Sequence, residues 1–282
     1  MREPNFFLAG TTKGGTSTLY LWLSQHPDIF LPPRKELHYF CSCPERLKVA
    51  HTWDEYLEFF GSGDERIVGE ASPCYLYYPA IAGAISQKVP KAKILASLRD
   101  PVERFWSHFL MNRTYREDYP APAEILNEWE KQPPIDATDD LVGMGMYHDQ
   151  IAHFYHSFGE SNIKVVFLED MSAHPQQVLA DILAFLGIAA HPVDTDERDK
   201  MYVEGRNAVA HFLLRNRRVR RLGAGLLGPR ARRTVKYSIL GQSDSRPQVP
   251  DDIAGRLREI YRYDSLALES LLSGPLPWAW HR

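Results

Sequence analysis

Short apolar runs of strand length alternate with segments of helical periodicity along this chain. The pattern predicts three strand–helix pairs: residues 6–9 with 16–26, 94–98 with 101–112, and 164–168 with 175–186. Shorter predicted elements are an extended run at 29–31, a helical segment at 53–60 and a strand at 67–69. Strands and helices that alternate in this way usually form one mainly parallel sheet with helices on both faces. The sequence therefore predicts an α/β fold, a three-layer sandwich with a central sheet flanked by helices.

The segment between the first predicted strand and its helix has the composition of an anion-binding loop. Its sequence from residue 10 to residue 18 is GTTKGGTST. Glycines let successive N–H groups turn into one cavity, and a helix start adds unpaired N–H donors and a positive dipole end. The loop therefore predicts a site for a phosphate or a sulfate ester. The residues expected to bind it are Lys13, Gly14, Gly15, Thr16, Ser17 and Thr18.

This loop differs from the Walker A motif, in which the lysine directly follows the last glycine and a Ser or Thr then holds Mg²⁺. Lys13 instead precedes Gly14 and Gly15, and no Gly-Lys-Ser or Gly-Lys-Thr sequence occurs in this stretch. The usual magnesium position is therefore missing. A plain strand–turn–helix junction that is rich in glycine and threonine is the alternative interpretation.

A second predicted strand end carries another candidate anion ligand. Arg99 follows the apolar run 94–98, and Pro101 fits the first helical position, where its missing N–H costs nothing. Open α/β sheets bind ligands beyond the carboxyl ends of their strands. Arg99 and Ser107, which lies two turns into the helix, are expected to grip one phosphate. A salt bridge from Arg99 to Glu103 is the alternative.

The two segments together resemble the cofactor signatures of one enzyme family. TTKGGTSTLY at 11–20 and LRDPVERFWSHF at 98–109 are similar to those of sulfotransferases that use 3′-phosphoadenosine 5′-phosphosulfate (PAPS), in the branch of heparan sulfate and bacterial sulfotransferases. Further segments resembling motifs of that branch are KELHYF at 35–40, GEASPCYL at 69–76 and GMYHDQI at 145–151. The resemblance covers nearly the whole chain and implies a P-loop-like form of the α/β sandwich.

The resemblance implies a role for each end of the nucleotide. The first loop would hold the 5′-phosphosulfate, and Lys13 would stabilise the charge that develops on the oxygen between sulfur and phosphorus as that bond breaks. Arg99 and Ser107 would hold the 3′-phosphate, with Arg206 adding to this grip. PAPS is therefore expected as co-substrate, adenosine 3′,5′-bisphosphate as product, and no metal as cofactor. Positioning and charge stabilisation would dominate catalysis, as they do in phosphoryl transfer.

The resemblance also implies a base for the acceptor hydroxyl. Glu36 matches the family's catalytic glutamate, and His38 its neighbouring histidine. A carboxylate acts as a base near neutral pH when it is partly desolvated or held near the acceptor. A salt bridge from Glu36 to Lys35 or Arg34 is the alternative, and His38 would either orient Glu36 or hydrogen-bond the acceptor.

The sequence leaves the acceptor open as a small-molecule, lipid or saccharide hydroxyl. Some heparan-type members have a lysine where this chain has Ala71, and its absence argues against a sulfated glycan. The loop-rich stretch 115–141, with a predicted helix near 123–131, is expected to be an acceptor-side insertion in a single domain of residues 1–282.

Two other function classes stay open. A small-molecule kinase would use a similar loop, but the Walker lysine is missing. A non-catalytic nucleotide-binding scaffold would not need Lys13, Glu36 and His38 together.

Composition is that of an ordinary globular protein: 44% hydrophobic and 24% charged, with a net charge of −3 over 282 residues. No apolar run is long enough to span a bilayer, and the chain enters its first strand too early for a signal peptide, so a cytoplasmic location is expected. The three cysteines do not make a disulfide framework. A zinc site of Cys41, Cys43, His38 and His51 matches the usual C-x₂₋₄-C spacing poorly, so no metal site is predicted.

Basic residues are concentrated in one segment. Residues 205–236 contain ten Arg or Lys, including Arg206, and no Asp or Glu, with leucines interleaved. Such a segment can lie peripherally on an anionic membrane, receive an anionic acceptor or the 3′-phosphate, or form a solvated helix face. Nucleic-acid binding is not expected, because no recognised module accompanies the segment. The sequence does not indicate the oligomeric state.

Overall fold

The computed structural model describes residues 1–41, 48–116, 118–131, 140–196 and 247–282, together with the backbone of 204–205 and 240–241. A parallel sheet lies at its centre. Its strands are β1 (Phe6–Leu8), β2 (Ile29–Phe30), β3 (Ile67–Ala71), β4 (Lys93–Leu98) and β5 (Ile163–Phe167), in the spatial order β2-β3-β1-β4-β5. Every pairing in this sheet is parallel, which confirms the predicted fold class. A separate antiparallel pair joins β6 (Glu204–Gly205) to β7 (Leu240–Gly241).

Helices cover the sheet on both faces. In chain order they are α1 (Thr16–Leu23), α2 (Trp53–Leu57), α3 (Pro79–Lys88), α4 (Pro101–Tyr115), α5 (Pro122–Lys131), α6 (Tyr147–Phe158), α7 (Leu168–Ala173), α8 (Pro175–Leu186) and α9 (Asp251–Leu271). Short 3₁₀ turns occur at Glu58–Phe60, Pro73–Leu76, Gly143–Gly145 and Glu160–Asn162. Across the described ranges, none of the helices combines the length and the apolar character needed to cross a membrane.

The alternation of side chains along β1 builds a core on each face of the sheet. Phe7 packs with α3 and α6, whereas Phe6 and Leu8 pack with α1 and α8. All three side chains are completely buried, and each contributes about 1.5–3 kcal/mol by leaving water. A third cluster joins α4, α5 and α9, around Phe105, Leu126 and other apolar side chains. The sheet is therefore buried on both faces, as its near-continuous apolar strands require.

Several element bounds differ from the sequence prediction. α1 ends at Leu23, three residues before the predicted end, because its last turn tightens: the His26 N–H donates to the Leu23 carbonyl and the His26 ring accepts from the Asp28 N–H. The prediction did not include α3, α6 or α9. Of these, α9 is the 21-residue helix whose buried positions recur at helical spacing.

Candidate active site

The loop of residues 10–18, here called the anion loop, lies against the carboxyl end of β4. A Cβ atom on Gly10 would lie 2.6 Å from the Ser97 backbone nitrogen, and one on Gly14 would lie 2.5 Å from the Ser97 carbonyl oxygen. The Thr11 N–H donates to that carbonyl at 2.9 Å, and the Ser97 hydroxyl donates to the Gly14 carbonyl. Two glycines are therefore needed because the loop backbone approaches β4 closely.

The anion loop leads into the start of α1 through two left-handed residues. Lys13 has φ 72° and Gly15, the residue before the helix, has φ 95°. Within the loop the Gly14 N–H donates to Thr11 and the Thr18 N–H donates to Gly15, each at 3.0 Å. The donors of the first helical positions, Thr16 and Ser17, have no helical carbonyl to reach. The loop therefore directs N–H groups and the positive end of the helix dipole to one place.

The ammonium group of Lys13 reaches across to α4. Its Nζ lies 3.9 Å from Met111 Sδ. Burial, followed by the charges of Arg104 and Lys13, holds the pKa of His108 well below its usual value. His108 is therefore expected to be neutral, and the positive charge in this region comes from lysine and arginine.

Arg99 follows β4 directly and is buried to 7% exposure. Its Nη2 pairs with Glu103 at 3.2 Å, as the alternative interpretation of the sequence expected. Its Nη1 is also buried and has no hydrogen-bond partner among the described residues. Burial lowers the pKa of Arg99, and the charges of Glu103 and Glu169 act in the opposite direction. One side of the guanidinium is thus held by Glu103, whereas the other side has no hydrogen bond to any described residue.

The capping of α4 fixes Ser107 relative to Arg99. Asp100 accepts hydrogen bonds from the Val102 N–H at 2.8 Å and the Glu103 N–H at 3.3 Å. Trp280 donates its indole N–H to the same carboxylate at 2.8 Å. Ser107 is buried to 7% exposure, two turns along the helix. Because Ser97 contacts the anion loop and Arg99 follows two residues later, the structure brings the two predicted anion-binding segments to one edge of the sheet.

Glu36 and His38 lie in the segment of residues 35–40, here called the Glu36 segment. The Glu36 N–H donates to the carbonyl of Ala71 at 2.9 Å, and the Glu36 carboxylate is 52% exposed. His38 Nε2 lies 3.8 Å from Glu36 Oε2, and His38 Nδ1 lies 3.2 Å from Cys74 Sγ. Burial lowers the pKa of His38, the Glu36 charge raises it and the Arg34 charge lowers it again. The structure therefore places the two predicted catalytic side chains side by side.

A buried carboxylate, Glu70, anchors the Glu36 segment. It accepts hydrogen bonds from the hydroxyls of Tyr56, Ser72 and Tyr75, the last two at 2.5 and 3.2 Å. Two of these hydroxyls also accept from the segment itself: Tyr75 from the Phe40 N–H at 3.2 Å, and Ser72 from the His38 N–H at 3.5 Å. Burial raises the pKa of Glu70, although its hydrogen bonds lower it.

Lys35 connects the two parts of the site, through a contact that was not predicted from the sequence. Its Nζ donates to the Ser17 hydroxyl at 2.9 Å and lies 5.5 Å from the centre of the Tyr20 ring. The signal available in the sequence was its place beside Glu36 in a motif of the family. Arg206, the basic segment 205–236 and Cys43 lie outside the residues whose side chains the structure describes.

Left-handed backbone marks the candidate catalytic residues. Outside glycine, the described residues with positive φ are Lys13 (72°), Glu36 (60°), His38 (55°) and Ser273 (52°). Such a conformation costs an ordinary residue about 1–2 kcal/mol. Three of the four are the predicted catalytic side chains, and strain of this kind concentrates at functional sites.

Comparison with known proteins identifies the family of this chain. The model of the sulfotransferase domain family matches residues 3–204. The membrane-associated sulfotransferase kil1 of Dictyostelium discoideum is 34% identical over 110 residues, 38% of this chain and 22% of that protein. Human heparan sulfate glucosamine 3-O-sulfotransferase 3B1 is 23% identical over 282 residues, 98% of this chain and 65% of that protein.

The chain thus spans less than two thirds of either relative. A crystal structure of a sulfotransferase from Alicyclobacillus acidocaldarius superposes with a TM-score of 0.72 at 28% identity and covers the whole of both chains. Since the family model matches well over half of the residues, the chain belongs to the sulfotransferase family.

Proposed function

We propose that this chain transfers the sulfuryl group of PAPS to a hydroxyl of a small-molecule, lipid or saccharide acceptor. Membership of the sulfotransferase family supports the reaction class. The observation that carries the choice of donor is the buried Nη1 of Arg99, which has no hydrogen-bond partner among the described residues and lies at the same sheet edge as the anion loop. A sulfuryl donor with phosphate at both ends of an adenosine would contact both Arg99 and the anion loop.

The residues present fit such a nucleotide. The anion loop is held in one conformation against β4 and α7, because Cβ atoms added at Gly10 or Gly14 would collide with Ser97 and one added at Gly15 would lie 2.9 Å from Leu168. In the proposed arrangement Gly14, Gly15, Thr16, Ser17 and Thr18 hold the 5′-phosphate end. Arg99 and Ser107 hold the 3′-phosphate, and the guanidinium fork of Arg99 matches phosphate oxygens.

The proposed reaction needs a base and a charge to balance the leaving group. The donor supplies a sulfur–oxygen bond to phosphate that breaks as the acceptor oxygen bonds to sulfur. Glu36 takes the proton of the acceptor hydroxyl, and its exposed carboxylate leaves room for an acceptor to approach. Lys13 stabilises negative charge on the leaving phosphate oxygen, and His38 orients Glu36. No step in this scheme depends on a metal ion.

A cavity in the predicted acceptor-side stretch supports an acceptor with an apolar part. It has a volume of about 320 Å³, and its apolar lining includes Ile125, Trp129, Leu141 and Val142. The segment that follows Val142 reaches the anion loop, because the Thr11 hydroxyl donates to the Met144 carbonyl at 3.2 Å. We therefore propose that residues 115–141 receive the acceptor beside the anion loop.

Calorimetry with the product nucleotide tests the donor assignment. In the presence of a chelator, adenosine 3′,5′-bisphosphate should bind at least about tenfold more tightly than 5′-AMP, because a charge-assisted hydrogen bond contributes about 1.5–3 kcal/mol. The substitution Arg99→Ala should remove that difference, whereas Arg258→Ala on the exposed face of α9 should preserve it. Equal affinity of the native chain for the two nucleotides would contradict the roles of Arg99 and Ser107.

A transfer assay tests the reaction itself. The chain would be incubated with donor carrying labelled sulfate and a metabolite extract, and labelled products would be identified by mass spectrometry. Labelled product that depends on Lys13 supports sulfuryl transfer. Nucleotide binding without any labelled product across polar and lipid extracts would favour the non-catalytic scaffold.

A further inference from the structure

Two cysteines and a histidine converge beside the Glu36 segment. Cys41 Sγ and Cys74 Sγ are 3.8 Å apart, His38 Nδ1 is 3.2 Å from Cys74 Sγ, and the three atoms all lie within 4.8 Å of one another. The cluster differs from the zinc site considered from the sequence, because it includes Cys74. This residue lies in the turn after β3, more than thirty residues after Cys41 along the chain.

The backbone of each contributing segment sets up the cluster. The left-handed conformation of His38 lets the chain fold back, so that the Cys41 N–H donates to the His38 carbonyl at 3.3 Å. Cys74 lies in the 3₁₀ turn Pro73–Leu76, directly after Ser72, whose hydroxyl accepts from the His38 N–H. The spacing is therefore built into the same framework that positions the candidate catalytic residues.

The spacing and the atom types suit a thiophilic cation. A tetrahedral zinc ion with Zn–S bonds of about 2.3 Å places its two sulfur ligands about 3.8 Å apart. The two thiols already have that separation, so an ion can enter with little movement of sulfur. Cys41 is buried, whereas Cys74 and His38 are partly exposed, which leaves the ion a side from which to enter. Three protein ligands leave one coordination position for water.

We propose that His38, Cys41 and Cys74 bind a thiophilic divalent cation such as Zn²⁺, and that occupation of this site blocks sulfuryl transfer. Binding of one Zn²⁺ by the His38 imidazole and two thiols releases both thiol protons to solvent, so that the ion and its two thiolates are together neutral. In this proposal the bound ion regulates transfer and supplies none of its chemistry.

We attribute the inhibition to His38 Nε2, the ring nitrogen that would not bind the metal. Metal at Nδ1 leaves the proton on Nε2, and Nε2 lies 3.8 Å from Glu36 Oε2. Histidine ligands commonly donate this N–H to a carboxylate, which fixes both groups. A metal-bound ring would keep this N–H on Glu36 Oε2, so that this carboxylate oxygen no longer accepts the proton of the acceptor hydroxyl. This part of the inference rests on the proposed function, whereas metal binding does not.

Metal binding is measured first, on the full chain without donor or acceptor. Zn²⁺ titrated in competition with a chromophoric chelator should show one tight site per chain. Cys41→Ala and Cys74→Ala should each weaken that site by at least about 100-fold, more than loss of an outer hydrogen-bond partner costs. The control His153→Asn, on the exposed surface of α6, should leave the affinity unchanged. Unchanged affinity in both cysteine variants would overturn the proposal.

A second measurement uses the native chain and is independent of variant folding. Iodoacetamide labelling followed by peptide mass spectrometry should show that Zn²⁺ protects Cys74 from alkylation. Equal labelling of Cys74 with and without Zn²⁺ would also overturn the site. If Zn²⁺ binds at this site, it should lower the transfer rate of the native chain at least about tenfold. It should lower the rate of Cys74→Ala less, with each rate compared with that of the same protein without metal. Tight binding without inhibition would overturn the regulatory part alone.

Discussion

The anion loop and the Glu36 segment hold their candidate residues by different physical means. The anion loop is set by steric contact, since Gly10 and Gly14 lie against the backbone of Ser97 with no space for a Cβ. The Glu36 segment is set by polar contact, through the buried Glu70 and the hydroxyls that surround it. Close packing tolerates almost no substitution, whereas a hydrogen-bond network can lose one member and keep its shape in part. The anion loop should therefore be more rigid than the Glu36 segment.

The largest expected effect is on the rate of transfer, and it should distinguish the catalytic role of the Glu36 segment from nucleotide binding by the anion loop. Glu36→Gln should lower the rate of transfer by about 10²–10⁴, the usual contribution of a general base. Its affinity for adenosine 3′,5′-bisphosphate should stay at the native value, because the anion loop is untouched. Steady-state assays and calorimetry on the same preparation check both, with Glu160→Gln, an exposed glutamate, as the control. Normal turnover in the variant would place the base elsewhere.

A smaller effect is expected from steric disturbance of the anion loop. Gly14→Ala places a Cβ 2.5 Å from the Ser97 carbonyl oxygen, and overpacking of this kind costs about 1–3 kcal/mol. Adenosine 3′,5′-bisphosphate binding should fall with stability, as read by calorimetry and thermal unfolding. The control is Gly83→Ala in α3, where nothing lies within 4 Å of the added Cβ and a gain of up to about 1 kcal/mol is expected. Similar behaviour of the two variants would refute the steric account.

The polar framework of the Glu36 segment should respond to substitution in a pH-dependent way. Glu70→Gln puts an amide N–H₂ where hydroxyls donate, and unfolding should become easier by about 1–3 kcal/mol. Turnover should fall while nucleotide affinity persists. Tyr75→Phe, which removes one donor, is the graded comparison.

The pH dependence of that loss has a definite sign. Burial raises the pKa of folded Glu70 above its usual value of 4.5. Its stability contribution is therefore complete below pH 4.5 and declines as pH rises through the folded pKa. The difference in unfolding free energy between native chain and Glu70→Gln should shrink over that range. A difference that grows with pH would mean that the carboxylate is stabilised as an anion.

The smallest effect tests the backbone strain that both regions share. Lys13→Gly should raise the free energy of unfolding by less than about 1 kcal/mol, because relief of the left-handed conformation is partly offset by glycine's chain entropy. Transfer should be lost, since the ammonium group is gone. Ser273→Gly, at φ 52° outside the site, should give a similar gain and normal transfer. Denaturant unfolding of both variants checks this, and a loss of stability in both would show that the conformation is not strained.

The sequence was sufficient for the parts of the site that follow a strand directly. The anion loop after β1 and Arg99 after β4 were predicted because a parallel sheet brings its carboxyl ends to one edge. Glu169 lies at the same edge after β5, accepts the Asp100 N–H at 3.0 Å and was missed, although the same rule applies to it.

Contacts that depend on the order of strands in the sheet could not be predicted from the sequence. Glu70 reaches the Glu36 segment because β3 lies between β2 and β1, with Glu70 opposite Phe7. Sequence spacing does not determine which strands are neighbours, so neither this network nor the approach of Cys74 to His38 could be predicted. The left-handed residues could not be predicted either, because lysine and glutamate have no preference for that conformation and the enrichment of histidine in it does not identify a position.

Ser97 and Arg99 connect the two predicted anion-binding segments through the backbone at the end of β4. Residues two apart on an extended chain are separated by about 6.6 Å and face the same way. Ser97 contacts the anion loop and Arg99 begins the second predicted anion-binding segment, so any shift of β4 along its neighbours would move both together. In the proposed arrangement, the backbone of β4 therefore sets the spacing between the parts of the site that bind the two ends of the nucleotide.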